Sequence, residues 1–230
     1  MRLDGEWRRI LNKVRTLAAA LLITLFAAVF SAETEPVSAE GKLTIVVDPG
    51  HGGADGGAVS ADGIQEAGLN LAVAKMLKAE LEELGMEVIM TREDQNALAA
   101  TKKADMAARR SIMNQAGVDC VVSVHMNKFT DCSVHGPMAF YMEGSAEGEK
   151  LAKAVIDSIT GAIGAPTRLA NPGDYYVIRE SEPVAVLVEC GFLSNSNDVK
   201  LLTDPIHQKT LAKAIAVGVH SYFSGVNVLD

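Results

Sequence analysis

Cysteine is scarce. Only Cys120, Cys132 and Cys190 occur in 230 residues, and no pair has zinc-knuckle spacing. The odd number excludes a fully paired disulfide framework, which a chain of this size does not need for stability. Cys120 and Cys190 lie in apolar runs and read as small buried hydrophobes. Proline is limited to 7 residues, and there is neither a low-complexity tract nor an internal repeat. Collagen-like, Pro-rich and solenoid architectures are therefore excluded. Basic charge is short as well, with 21 Lys and Arg against 29 Asp and Glu and a net charge of −8. Residues 1–15 hold five basic and two acidic side chains, so the remainder carries −11. An acidic body with a single Trp lacks the footprint that non-specific nucleic-acid binding requires. No nucleic-acid partner is expected.

Long apolar runs are missing too, with one short exception. Leu17 through Phe30 is fourteen residues without a charge, with Thr24 as its one polar member, behind a basic start. A transmembrane span needs roughly 18 or more apolar residues. A secretory signal needs a basic front and an apolar stretch of about 7–15. Residues 1–32 therefore read as a signal peptide, with an uncleaved membrane anchor as the alternative. Val29-Phe30-Ser31 and Val37-Ser38-Ala39 both offer cleavage contexts. Residues 33–41 are polar and read as a linker, and 42–230 as one folded domain, exported across the membrane. Any membrane contact is expected only through the N-terminal segment.

Against these absences stands one dense stretch, Ile45-Val46-Val47-Asp48-Pro49-Gly50-His51-Gly52-Gly53. Three β-branched residues make a short buried strand, and Pro49 stops it because it lacks the N–H a ladder needs. The glycines allow a sharp turn, at the strand end where open α/β sheets place their ligands. No Lys-Ser/Thr pair follows and the glycine spacing does not fit a dinucleotide fingerprint, so a metal is favoured over phosphate.

Alternation continues along the chain. Glu66 opens a helix with Leu69, Val73, Met76, Leu77 and Leu81 on one face, ended by Gly85. Met86–Met90 reads as a strand, about Asp105 to Gln115 as a helix, and Cys120–His125 as a buried strand. Gly136–Met142 reads as a strand, Ala146–Ile163 as a helix, Tyr175–Ile178 as a short strand and Val184–Glu189 as a third buried strand. A short helix from Asn195 or Ser196 to Leu202 follows, then a last one capped by Asp204 and running to Phe223. The expected fold is α/β, three-layer α/β/α, with a mostly parallel twisted sheet and a zinc site at the carboxyl ends of its strands.

Three buried-type strands thus lead to His51, His125 and Glu189, and Glu66 starts the helix after the first. Singly, each has a plain structural reading: a packed strand-end histidine, a first-turn acid favoured by the helix dipole, an exposed strand end. Together, two histidines and one carboxylate would leave the fourth position of a tetrahedral zinc open for water. The second carboxylate could carry the water's proton to a leaving amine.

Asp48-Pro49-Gly50-His51-Gly52-Gly53, Glu66, Ser123-Val124-His125-Met126-Asn127 and Val188-Glu189-Cys190-Gly191-Phe192-Leu193-Ser194-Asn195 resemble the motifs of the zinc-dependent N-acetylmuramoyl-L-alanine amidases, which trim bacterial peptidoglycan. Thr91-Arg92 and Arg109 with Asn114 fall in the same order, and the resemblance spans roughly residues 43 to 224. It implies that His51, Glu66 and His125 bind one zinc per chain and that Glu189 is the catalytic carboxylate. Asn127 and Arg92 are expected to contact substrate. Met126 departs from the small residue usual there, a change expected in the pocket wall rather than at the metal.

With no appended wall-binding repeat and with Asn171-Pro172-Gly173-Asp174-Tyr175-Tyr176, the chain is most similar to the spore-cortex, germination-specific amidases. Those remove peptide side chains so that muramic-δ-lactam can form. The expected location is the cell wall or the forespore intermembrane space, and a protein activator is left unassigned. His135, His207 and His220 match no motif.

Three other classes compete. A zinc carboxypeptidase would need a cation for a terminal carboxylate, for which Arg92 and Arg179 are the candidates. A non-catalytic wall-binding protein would be expected to lose Glu189 or a ligand. A cysteine hydrolase pairing Cys190 with His125 conflicts with strand alternation, which turns Cys190 away from Glu189.

Overall fold

The structure, a computed structural model, describes residues 41–166 and 168–225. The segments read as leader and linker lie outside these apart from Gly41. Among the described residues no helix is long and apolar enough to cross a membrane.

The first strand, β1 (Thr44–Pro49), has Ile45, Val46 and Val47 fully buried. It is followed by α1 (Glu66–Glu83), β2 (Glu87–Met90), α2 (Lys102–Met113), β3 (Cys120–Asn127), β4 (Met138–Met142) and α3 (Ala146–Ile163). The chain continues through β5 (Asn171–Gly173), α4 (Tyr176–Arg179), β6 (Val184–Phe192), α5 (Ser196–Leu202) and α6 (Pro205–Ser224). The six strands form one sheet in the order β2-β1-β3-β6-β4-β5. Strands β2, β1, β3 and β6 are parallel, and β4 pairs antiparallel with β6. The sheet is mixed, mostly parallel, and covered on both faces, as the alternation predicts.

Strand alternation divides the core. Ile45, Val47, Val122, Val124, Val186 and Val188 join the larger cluster with Leu77, Leu81, Ile156 and Leu211 of α1, α3 and α6. Val46, Val121 and Leu187 face the smaller cluster with Met113 of α2 and Val177 and Ile178 of α4. The connection from β1 to β2 thus runs over one face and that from β2 to β3 over the other. Between β1 and β3 the two connections part, which is the topological switch where such sheets bind ligands. His51 follows β1 at that point and His125 lies on β3.

Several elements differ from expectation. Strand β3 runs on past His125 to Asn127, and β6 past Glu189 to Phe192. The two residues therefore lie within their strands, paired in register with one another. Tyr176–Arg179 is a helical turn closed by the Arg179 amide donating to the Tyr175 carbonyl, not a strand. A four-residue apolar run fits either state by periodicity alone, and as a turn it still buries Val177 and Ile178 in the smaller cluster. Cys120 and Cys190 are buried and Cys132 is exposed, all three as free thiols.

Candidate active site

Glu66 is the first residue of α1, where the helix dipole favours a carboxylate. It is buried, and both its oxygens are occupied. Oε1 lies 2.8 Å from His125 Nδ1 and accepts from Asn70 Nδ2 at 3.1 Å and the Met126 amide at 3.2 Å. Oε2 lies 3.2 Å from His51 Nε2 and accepts from the Ala58 amide at 2.8 Å. Burial alone would raise its pKa, but the two histidines and these bonds hold it far below the usual carboxylate range. The group is ionised at any ordinary pH.

His51 stands at φ +63°, the one non-glycine in the left-handed region among the described residues. Such a conformation costs about 1–3 kcal/mol, and here it turns the imidazole back toward Glu66. Its other nitrogen, Nδ1, is 3.0 Å from Asp55 Oδ1, and Asp55 Oδ2 accepts from Lys102 Nζ at 2.9 Å. Burial opposes protonation of His51, but Glu66 and Asp55 outweigh it and raise its pKa. Burial likewise works against ionisation of Asp55, yet Lys102 and His51 bring its pKa down to about 2. A carboxylate on Nδ1 fixes the tautomer that leaves Nε2 free to ligate. Glycine is required next door: a Cβ on Gly50 would lie 2.1 Å from the His125 ring.

Across β3 and β6, His125 and Glu189 are directly paired. Glu189 is 7% exposed, and its Oε2 is buried without a hydrogen-bond partner. Burial pushes its pKa up to about 7, reinforced by the Glu66 charge and opposed by the two histidines. Tyr175 stands close enough for the Glu189 charge to add to the burial that raises the phenol pKa. A small cavity of about 150 Å³ opens beside His51 and His125, bordered by Lys102, Tyr175 and Tyr176. A larger groove of about 1030 Å³ over α1, α3 and α6 contains none of these side chains, so size does not mark the site.

One nitrogen from each of His51 and His125 and one oxygen of Glu66 lie within 4.8 Å of one another. Two imidazoles and a carboxylate are a donor set that suits zinc, and Asp55 supplies the outer partner that metal-bound histidines usually have. The residues fit a metal. They form a three-residue metal-binding site.

A family profile described as N-acetylmuramoyl-L-alanine amidase matches residues 45–221. The chain belongs to that family. A germination-specific N-acetylmuramoyl-L-alanine amidase of Bacillus subtilis (strain 168) is 36% identical over 194 residues, covering 80% of this chain and 81% of that protein. Among solved structures, the CwlD amidase of Clostridioides difficile, in complex with the GerS lipoprotein, superposes with a TM-score of 0.76 at 32% identity. It covers 80% of this chain and all of its own. The amidase LytC of Bacillus subtilis is 29% identical but is matched over only 35% of its length. With its metal site and family established, this amidase is a metal-dependent amide hydrolase acting on peptidoglycan.

The sequence-predicted residues fall in two groups. His51, Glu66, His125 and Glu189 come together. Asn127 ends β3, half-buried, with its Oδ1 accepting from the Lys128 amide at 2.7 Å. Arg92 is 4% exposed and lies behind the His51 turn, its guanidinium bonded to four main-chain carbonyls. Arg179 is paired with Asp174 and Glu180. Neither cation that the carboxypeptidase reading needs is free for a substrate carboxylate. Met126 points into the main core rather than the pocket wall, because it alternates with His125 along β3. Cys190 alternates away from Glu189 in the same manner, and burial raises its thiol pKa well above normal. Asp55 and Asn70 escaped the sequence reading. Asn70 follows Glu66 by four residues, one helical turn, and that spacing could have revealed it. Asp55 has no such periodic signal, because it reaches His51 through a glycine turn.

Proposed function

We propose that this amidase binds one zinc through His51, Glu66 and His125 and hydrolyses the amide between the muramic lactyl carbonyl and L-alanine, with Glu189 as the catalytic carboxylate. Zinc, when bound, supplies a Lewis acid for the carbonyl and lowers the pKa of water. Glu66 holds its two histidines in place as a permanently charged ligand. Asp55 keeps His51 in the ligating tautomer. Glu189 takes the proton of the attacking water on its carboxylate and returns it to the alanine nitrogen as the carbon–nitrogen bond breaks. The water's oxygen remains on the lactyl carbon as a carboxylate, and the stem peptide leaves with a free amino terminus. The observation that carries this reading is the buried, unpartnered oxygen of Glu189 beside three converging ligands.

Digestion of purified muropeptides, with and without chelator, tests it. The whole stem should be released with an L-alanine amino terminus, and chelator should stop the release. His51→Ala and His125→Ala should lose most of their zinc, because two ligands hold the ion weakly. Release of a single terminal amino acid, or full zinc in both variants, would overturn the assignment.

The similarity to the germination-specific amidase and to CwlD supports a role in spore-cortex maturation, where stem removal precedes muramic-δ-lactam formation. Muropeptide profiles of spores lacking the protein test this; unchanged lactam content would exclude it. Kinship with wall amidases supports action outside the cytoplasm, at the cell wall. Residues 1–32 would then serve as export signal or anchor, 33–41 as linker and 42–230 as the catalytic domain. A reporter enzyme fused after residue 41 should appear outside the membrane, and one retained in the cytosol would rule the leader out.

A further inference from the structure

We propose that Arg92, Arg109 and Asn70 form a polar clamp on residues 49–51, positioning residues that hold His51 in the shape a metal ion needs. The inference rests on the metal reading above. Its basis is where three consecutive carbonyl oxygens go. The Pro49 carbonyl accepts from Arg92 Nε at 3.0 Å and Arg109 Nη1 at 2.8 Å. The Gly50 carbonyl accepts from Arg92 Nη2 at 2.8 Å and Asn70 Nδ2 at 3.2 Å. The His51 carbonyl accepts from Arg109 Nη2 at 2.5 Å.

In a strand, successive carbonyls point to opposite sides. Here the Pro49 and His51 carbonyls share Arg109, as alternation allows, but the adjacent Pro49 and Gly50 carbonyls both reach Arg92, so the backbone leaves the extended path at the turn where His51 takes its left-handed φ. A strained residue persists only where its surroundings over-determine it. Five bonds from three buried side chains do so here. Elsewhere the same side chains reach other parts of the site. Asn70 Nδ2 also bonds Glu66 Oε1, linking the His51 turn to the second ligand. Arg92 Nη2 bonds the Ala67 carbonyl in the first turn of α1. Arg109 is neutralised by Asp48 at 2.7 Å and Asp105 at 2.8 Å, so its charge is not left unpaired in the interior. The planar fork of arginine spreads its donors in a fixed geometry that reaches carbonyls on different sides, which the compact ammonium of lysine does not reproduce. This gives Arg92 a task behind the site in place of the substrate contact expected of it.

The test uses the full chain as wild type, Arg92→Lys and Asn70→Ala. Removing Arg109 would strand two buried carboxylates and threaten the fold, so the milder pair is used. Zinc dissociation constants are measured by chelator competition, visible spectra are recorded after cobalt(II) loading, and folding of the chelated proteins is followed by circular dichroism. Both variants should remain folded, bind zinc on the order of 10–100-fold more weakly and show a shifted cobalt spectrum. Unaltered affinity in the folded variants, or weaker affinity with an unaltered cobalt spectrum, would reduce the three residues to ordinary packing. If wild type itself takes up neither metal, the metal reading fails rather than the clamp.

Discussion

Glu189 illustrates how a single side chain can be at odds with the fold that holds it. Its carboxyl is buried with an oxygen unpaired, and that burial pushes its pKa up to about 7 from an ordinary 4.5. A folded value above the unfolded one stabilises the protein fully below pH 4.5, and that contribution is lost as pH rises through about 7. A shift of that size corresponds to at most about 3 kcal/mol. Glu189→Gln has no proton to lose. In chelator at pH 8 the variant should therefore unfold at higher denaturant than wild type, by up to about 3 kcal/mol, with the gap closing near pH 4. With zinc restored, it should bind the metal but hydrolyse muropeptides about 10²–10⁴-fold more slowly. Equal stability at pH 8 would show that the carboxyl is not strained there, and a loss of zinc would make Glu189 a ligand. The four principal site residues were legible in the sequence because each sits in a short motif of its own, on a buried apolar run or at a helix start, and those motifs together resemble the amidases. Asp55 was not, and Arg109 was picked out by motif order without a role, since what each does depends on a turn or on contacts up to 61 residues apart.

Elements were legible where their ends carry chemistry of their own. Helix α3 matches its predicted span because Ser145 caps one end, accepting from the Gly148 amide, and left-handed Gly164 closes the other. Helix α2 starts three residues earlier than expected. Thr101 caps it, but Lys102 and Lys103 begin it without an apolar residue to mark the period. Helix packing adds a constraint that no local pattern reveals. Gly218 in α6 faces α3 so closely that a Cβ would lie 2.6 Å from the Val155 Cα. Alanine is the better helix former by about 1 kcal/mol, yet overpacking against backbone costs roughly 1–3 kcal/mol. The steric effect should win. Thermal unfolding of Gly218→Ala is expected at a lower temperature than wild type, and a rise would mean that α3 and α6 can separate freely.

For the molecule as a whole, the layers and the mostly parallel sheet followed from short apolar runs alternating with helices of 3.6 period, whereas strand order and the reversal of β4 did not. Those depend on pairings such as Met138 with Glu189, between segments far apart in sequence. The same layering settles the fate of the sulfur atoms. Cys120 and Cys190 are sealed in the core with thiol pKa values raised by burial, while Cys132 is exposed. A thiol-reactive dye should accordingly label one site per native chain at once, and three only as the fold opens. Counting labels by mass against time then turns the two hidden cysteines into a clock for unfolding that needs no activity assay. In an oxidising compartment the same arrangement confines thiol oxidation in the native state to Cys132, on a loop outside the core.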